Sequence, residues 1–174
     1  MDALTAIRTR RSVRHYEDRP VPEGLVRQML AAAMSAPSAG NAQPWHFIVI
    51  TDREILQRIA EIHPYAKMAA QAAVGFLVCG DSTLELFPGY WVQDCSAATQ
   101  NLLLAAHALG LGAVWTGIFP REDRVDAFRA LFQLPDPVMP LAFVPVGHPA
   151  ESPTPQDRFR EERVHQNAWQ RRST

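Results

Sequence analysis

The alternation of apolar and polar positions along the chain predicts a series of helices and strands. Apolar residues recur at helical spacing in several segments, and shorter continuous apolar runs have the length of strands. Helices are predicted at 3–9, 22–35, 53–62, 65–71, 91–109 and 121–132. Strands are predicted at 45–51, 73–79, 112–119 and 139–147. These elements favour an α+β fold.

The pattern changes after Gly147, where several prolines favour an extended course. Trp169 lies within this stretch, and a large aromatic side chain usually needs a surface to cover it, from its own subunit or from a partner. No repeat or linker divides the chain. We therefore predict one domain over residues 1–174, in which 148–174 form an extended C-terminal arm.

Composition and charge narrow the possible partners. The 174 residues carry 17 basic and 18 acidic side chains, so no strong attraction to nucleic acid or to an anionic membrane is expected. The most apolar stretch, 95–114, contains polar residues and is interpreted as a buried helix that does not span a membrane. Cys79 and Cys95 lie in apolar surroundings, as thiols in a reducing compartment usually do. With no signal pattern at the N-terminus, we expect a cytoplasmic protein.

The first candidate motif is an arginine-rich run near the N-terminus. If this run is extended, Arg10, Ser12 and Arg14 share one face, because side chains alternate along a strand. Two guanidinium groups and a hydroxyl in one place suit a phosphate. A solvated basic turn is the alternative interpretation.

Two further motifs are polar or glycine-containing segments beside predicted strands. Ser38, Asn41 and Gln43 place hydroxyl and amide groups on the loop before the first strand, although an ordinary connection rich in turn formers is also possible. Gly117 lies near the end of the third strand, where a missing side chain would let a planar ring approach, or would simply allow a bend. The six histidines show no metal-ligand spacing, so no metal site is predicted.

Taken together, these segments resemble the nitroreductase family. The matching stretches are 10–22, 36–45 and 94–119, and their order and spacing agree over nearly the full chain. The resemblance implies a mixed, mainly antiparallel central sheet flanked by helices, with the C-terminal arm swapped across a homodimer. It implies FMN as cofactor, with these residues as its contacts: Arg10, Arg11, Ser12, Arg14, Pro37, Ser38, Ala39, Asn41, Gln43, Thr116, Gly117, Ile118, Arg158 and Arg160.

The resemblance also implies a reaction. Hydride would pass from NAD(P)H to flavin N5, near the Gly117 backbone, and then to a nitroaromatic, quinone or similar small acceptor by a ping-pong mechanism, with no catalytic side chain. The alternative is a flavin-binding or flavin-handling protein that stores, senses or fragments flavin without nitroreductase turnover. Two questions stay open: whether Arg163 replaces Arg158 or Arg160 at the phosphate, and whether Phe87, Tyr90 and Trp91 line the acceptor site or only pack. The short 63–90 region predicts an open, permissive site.

Overall fold

A computed structural model describes residues 1–169, so residues 170–174 of the predicted arm lie outside the described residues. The helices are α1 Ala3–Thr9, α2 Glu23–Met34, α3 Arg53–Ile62, α4 Trp91–Ala108 and α5 Glu122–Phe132. The strands are β1 Trp45–Ile50, β2 Val74–Asp81, β3 Gly112–Ala113, β4 Thr116–Gly117 and β5 Val138–Gly147. Short 3-10 turns cover Ala39–Asn41, Lys67–Gln71 and Glu161–Arg163.

Local signals fix several of these boundaries. The Asp52 carboxylate caps α3 by accepting hydrogen bonds from the backbone N–H groups of Glu54 and Ile55, at 2.8 and 3.2 Å. Helix α4 ends just before Gly110, which has a φ of +77°, a conformation that glycine adopts without strain. These ends lie within a residue or two of the predicted ones.

The sheet has the order β1-β2-β5-β3, and β4 also pairs with β5. Each of these strand pairs is antiparallel, and an isolated parallel bridge joins Ser12 to Ala113. Helices cover both faces: Phe76 and Val78 of β2 point to the core formed with α2 and α4, whereas Leu77 points to the core formed with α3 and α5. The prediction of an α+β fold with a mainly antiparallel sheet flanked by helices is confirmed.

The single strand predicted at 112–119 is wrong, because the chain forms two short strands there. β3 pairs Ala113 with Val146, and β4 pairs Thr116 with Phe143. The same register would set Val114 opposite Pro145, which has no backbone N–H to donate, so the ladder is interrupted between the two strands.

The segment after α1 lies extended along the edge of the sheet beside β3. The Val13 N–H donates to the carbonyl oxygen of Ala113 at 3.0 Å, and the Tyr16 hydroxyl donates to the carbonyl oxygen of Val13 at 2.8 Å. A Cβ atom on Gly112 would lie 2.5 Å from Val13 Cγ1, so only glycine allows this close approach. The fold therefore holds the arginine-rich run in the extended form that the sequence predicts.

The arm begins bound to that same segment. The Glu151 carboxylate accepts a hydrogen bond from the Arg14 N–H and lies 3.0 Å from His15 Nδ1, and Ala150 N–H donates to the His15 carbonyl oxygen at 2.9 Å. Trp169 is 81% exposed in a single chain. Exchange of the arm across a homodimer stays a prediction.

Within residues 1–169, none of the helices combines the length and apolar character needed to cross a membrane.

Candidate active site

A cavity of about 460 Å³ lies between the N-terminal segment, the turn after α3 and strand β4. Its volume falls in the range of small-molecule sites. The structure thus brings Arg14 together with the predicted Thr116-Gly117 segment. The lining residues are Arg14, Pro64, Tyr65, Lys67, Met68, Val114, Trp115, Thr116 and Gly117.

The predicted residues of the β4 segment face this cavity to different extents. The Thr116 hydroxyl donates to the carbonyl oxygen of Phe143 at 2.7 Å and is buried, so it serves the pairing of β4 with β5. Ile118 is fully buried in the core and does not line the cavity. Gly117 is the residue of the three whose backbone is open to a ligand, since a Cβ atom built there would meet nothing within 4 Å.

Two part-buried hydrogen bonds hold the Gly117 backbone. His63 Nε2 donates to the Gly117 carbonyl oxygen at 3.0 Å, and Arg124 Nη1 donates to the same oxygen at 2.8 Å. His63 Nδ1 accepts a hydrogen bond from the Tyr65 N–H at 3.1 Å. Burial lowers the pKa of His63, which therefore stays neutral near pH 7.

Lys67 is a cavity residue that sequence reasoning missed. It is the only lysine of the chain and begins the turn Lys67–Gln71. It lines the cavity with Arg14, and none of the ion pairs formed within residues 1–169 includes either side chain. The sequence shows that it is the only lysine, but only the fold shows that it lines the same cavity as Gly117.

A second cavity, of about 520 Å³, adjoins the first through Arg14, which lines both. It is lined by four of the predicted phosphate contacts, Arg11, Ser12, Arg14 and Arg158, together with Pro153, Thr154 and Gln156 of the arm. A basic groove of about 770 Å³ continues past Arg10 and also includes Arg8, Arg11 and Arg158. The described ion pairs leave all of these arginines without a carboxylate.

The electrostatics of this cluster favour an anion. Burial, followed by the neighbouring charges of Arg11 and Arg158, lowers the pKa of Arg10. Like charges gathered in a partly buried place repel each other, and a bound anion would relieve that repulsion.

Two of the predicted arginines, Arg11 and Arg160, donate hydrogen bonds to backbone carbonyl oxygens. The Arg11 guanidinium donates to three carbonyl oxygens, those of Arg8, Arg10 and Gln156, at 2.9, 2.7 and 3.0 Å. It therefore ties the arm to the end of α1, although its buried Nε atom has no hydrogen-bond partner among the described residues. Arg160 Nη1 donates to the Phe159 carbonyl oxygen at 2.9 Å. Of the described arm arginines, Arg158 lines the second cavity, whereas Arg160 and Arg163 do not.

The predicted loop from Pro37 to Gln43 lines neither cavity of a single chain. Its polar groups bond to one another: the Gln43 N–H donates to Ser38 Oγ, and Gln43 Nε2 donates to Asn41 Oδ1, both at 3.0 Å. The Ala39 N–H donates to the buried carboxylate of Asp94 at 3.0 Å, which fastens the loop to the first turn of α4. Flavin contacts by these residues stay predictions.

Phe87, Tyr90 and Trp91, whose role the sequence leaves open, differ in their exposure. Phe87 and Tyr90 are exposed beside the loop, with ring centroids 6.0 Å apart. Trp91 is buried and packs edge-on against Phe119, at 5.0 Å between centroids. A Cβ atom on Gly80 would lie 2.4 Å from the Trp91 ring. Trp91 is thus a core residue, whereas the first two are available to a ligand or a partner.

Comparison with known proteins identifies a family whose model matches this chain. A family model described as the nitroreductase family matches residues 7–74 and 63–148. A protein of Methanothermobacter thermautotrophicus named "Putative NADH dehydrogenase/NAD(P)H nitroreductase" is 56% identical over 169 residues, which cover 97% of this chain and 88% of that protein.

Solved structures agree with the sequence comparison. A crystal structure of a Bacteroides thetaiotaomicron protein with the same name has a TM-score of 0.92 at 44% identity, and the match covers 96% of this chain and 98% of the other. A protein of Desulfovibrio desulfuricans described as a "putative nitroreductase" and crystallised in complex with FMN has a TM-score of 0.81 at 35% identity, with 96% of this chain and 97% of the other covered.

Proposed function

We propose, from the premise that this chain belongs to the nitroreductase family, that it is an FMN-dependent oxidoreductase that takes its hydride from NAD(P)H. The match to the family model and to its relatives confirms the resemblance seen in the sequence. The names of the relatives support the donor and the FMN complex of a structural neighbour supports the cofactor. The observation that carries the proposal is a cluster of guanidinium groups that the ion pairs within residues 1–169 leave without a carboxylate, next to the cavity lined by Lys67 and Gly117.

The second cavity fits the phosphate and sugar chain of FMN. Arg14 and Arg158 offer charge-assisted hydrogen bonds, and the Ser12 hydroxyl offers a further donor on the same side. Arg14 lines both cavities, so a ligand bound to it could extend from one into the other. A molecule with a phosphate at one end and a planar ring at the other matches that arrangement.

The first cavity fits the ring. When bound, FMN would supply the redox chemistry, since its N5 atom accepts a hydride from NAD(P)H and returns it to an acceptor. Lys67 would stabilise the negative charge that reduction places on the ring. Gly117 would let the ring lie close to the backbone, because no side chain intervenes.

The same cavity would serve donor and acceptor in turn, which is the basis of the proposed ping-pong mechanism. The described residues that line it include no carboxylate, histidine or thiol. Recognition by shape and stacking suits flat electron-poor acceptors, so nitroaromatics and quinones are the proposed acceptor class.

A homodimer would complete the site. The loop from Pro37 to Gln43 lies apart from the cavities of its own chain, and the apolar side chains next to it, Leu86, Phe87 and Tyr90, are exposed. Exposed apolar clusters favour protein interfaces. We propose that this loop reaches the cofactor of a second copy and that the arm is exchanged. The free, buried thiols of Cys79 and Cys95 support a reducing, cytoplasmic location.

The test is an anaerobic reduction followed by reoxidation. Purified protein loaded with FMN should lose its yellow colour on addition of NADH or NADPH and recover it when a quinone or nitroaromatic is added. Gel filtration of the same sample should give a dimer. Yellow protein that stays yellow with both nucleotides would contradict the reductase and support a flavin-binding protein without turnover. Protein that takes up no FMN would contradict both.

A further inference from the structure

The Gly117 carbonyl oxygen is held by two side chains that the proposed function does not use. We call His63 and Arg124, with their hydrogen bonds of 3.0 and 2.8 Å to this oxygen, the Gly117 clamp. His63 follows α3 and Arg124 lies in the first turn of α5, so two separate elements converge on one carbonyl. Neither side chain lines the cavity, so both act on its wall from behind.

The geometry around His63 fixes its tautomer. A carbonyl oxygen only accepts, so Nε2 carries a proton; a backbone N–H only donates, so Nδ1 accepts from Tyr65 and carries none. The ring is fully buried. A second proton on Nδ1 would face the Tyr65 N–H with another donor, so the clamp needs a neutral imidazole.

The Arg124 guanidinium is half-buried without a carboxylate partner among the described ion pairs. It lies 5.3 Å from the centroid of the Tyr65 ring, and Tyr65 lines the cavity. Its Nε atom is buried with no hydrogen-bond partner in the described part of the chain. A half-buried cation without a carboxylate partner costs stability. We infer that its charge acts on a ligand in the cavity beside it.

We propose that His63 and Arg124 are positioning residues, which fix the Gly117 wall against the cofactor ring and keep a positive charge behind that wall. This inference rests on the proposed function. A rigid wall costs no reorganisation when charge develops on the ring, and a nearby cation favours the reduced, more negative state. Without the clamp, the ring would bind less tightly and accept a hydride less readily.

The central comparison is Arg124→Gln with Arg124→Lys. Arg124→Gln replaces a charge-assisted hydrogen bond by at most a weaker neutral one, so it should weaken FMN binding roughly tenfold and lower the flavin midpoint potential. Arg124→Lys retains the charge, so it should restore most of the potential. Arg121→Gln is the matched control: it removes the same charge from the same helix end, but Arg121 is exposed and pairs with Asp123 at 3.2 Å.

His63 provides a second, independent pair of variants. His63→Gln keeps a donor for the Gly117 oxygen, whereas His63→Leu removes it. His63→Leu should weaken FMN binding roughly tenfold and His63→Gln much less. Without any flavin, nitrogen NMR of histidine-labelled protein should show the Nε2–H tautomer for His63. The opposite tautomer would overturn the clamp itself.

The two failures are distinguishable. If wild-type protein binds no FMN, the proposed function fails and the clamp's role fails with it. If wild-type protein binds FMN but folded Arg124→Gln has the affinity and potential of Arg121→Gln, only the clamp is overturned. Should Arg124→Gln not fold, equal affinities of His63→Leu and His63→Gln would overturn the clamp in the same way.

Discussion

Replacing Gly112 by alanine should disturb the proposed phosphate contacts, although Gly112 lines none of the cavities described above. The added Cβ atom would lie 2.5 Å from Val13 Cγ1 and 2.8 Å from Val13 Cβ. Rotation of the Val13 side chain removes the first clash but not the second, because the Val13 backbone is hydrogen bonded to Ala113. The segment that carries Ser12 and Arg14 must therefore move away from the sheet edge.

The structure sets the size of the effect. Forcing an extra carbon into a packed contact costs about 1–3 kcal/mol of unfolding free energy. For a chain of this length each kcal/mol corresponds to a change of about 2–4 °C in Tm, so Tm should fall by roughly 2–12 °C. Displacement of one charge-assisted contact should raise the Kd for FMN roughly tenfold or more.

Thermal unfolding followed by circular dichroism measures the first effect, and quenching of FMN fluorescence measures the second. Gly24→Ala is the control, since a Cβ atom there meets nothing within 4 Å and alanine favours the helix. Adding Val13→Ala to Gly112→Ala should not restore the stability, because the Cβ contact remains and the buried Val13 methyl groups are lost. A Gly112→Ala protein with unchanged Tm and unchanged Kd would refute the described packing of this segment.

Three further predictions concern the phosphate cavity, the thiols and the buried histidine. Arg158→Ala should weaken FMN binding roughly tenfold in a fluorescence titration, whereas Arg160→Ala should change it far less; the reverse order would refute the assignment of Arg158 to the phosphate. Burial raises the pKa of Cys79 and of Cys95 to about 12, so neither thiol should react with a disulfide reagent at pH 8 until the protein is denatured, and rapid reaction of the native protein would contradict this. Because burial lowers the pKa of His63 in the folded protein, the unfolded chain binds a second proton on this imidazole more readily. The contribution of neutral His63 to the free energy of unfolding should therefore be complete above about pH 6.5 and decline below it. Urea unfolding at pH 7.5 and pH 5.5 should show a smaller loss of stability at the lower pH for His63→Gln than for wild type.

Much of the fold follows from local patterns, and its main error has a tertiary cause. Helix α3 could be predicted from its apolar stripe and from Asp52 as its cap, because both signals lie within the segment itself. The interruption between β3 and β4 could not, because it depends on Pro145, which lies opposite Val114 only once β5 has paired with this part of the chain.

The candidate site also has parts that could be predicted from local sequence and parts that could not. Alternation predicts Arg10, Ser12 and Arg14 on one face, and the structure agrees only in part: Ser12 and Arg14 line one cavity together with Arg11, whereas Arg10 lines the neighbouring groove. Lys67, His63 and Arg124 could not be predicted, because a lone lysine, histidine or arginine carries no signal of what it will face. Their places depend on where the turn after α3 and the start of α5 meet β4.

A crystal structure of the protein with FMN tests the account most directly. We predict the phosphate among Ser12, Arg14 and Arg158, the ring along Gly117 with Lys67 beside it, and the loop from Pro37 to Gln43 of a second copy against the same flavin. An FMN molecule bound elsewhere, or one whose phosphate lies away from the arginine run, would contradict the account.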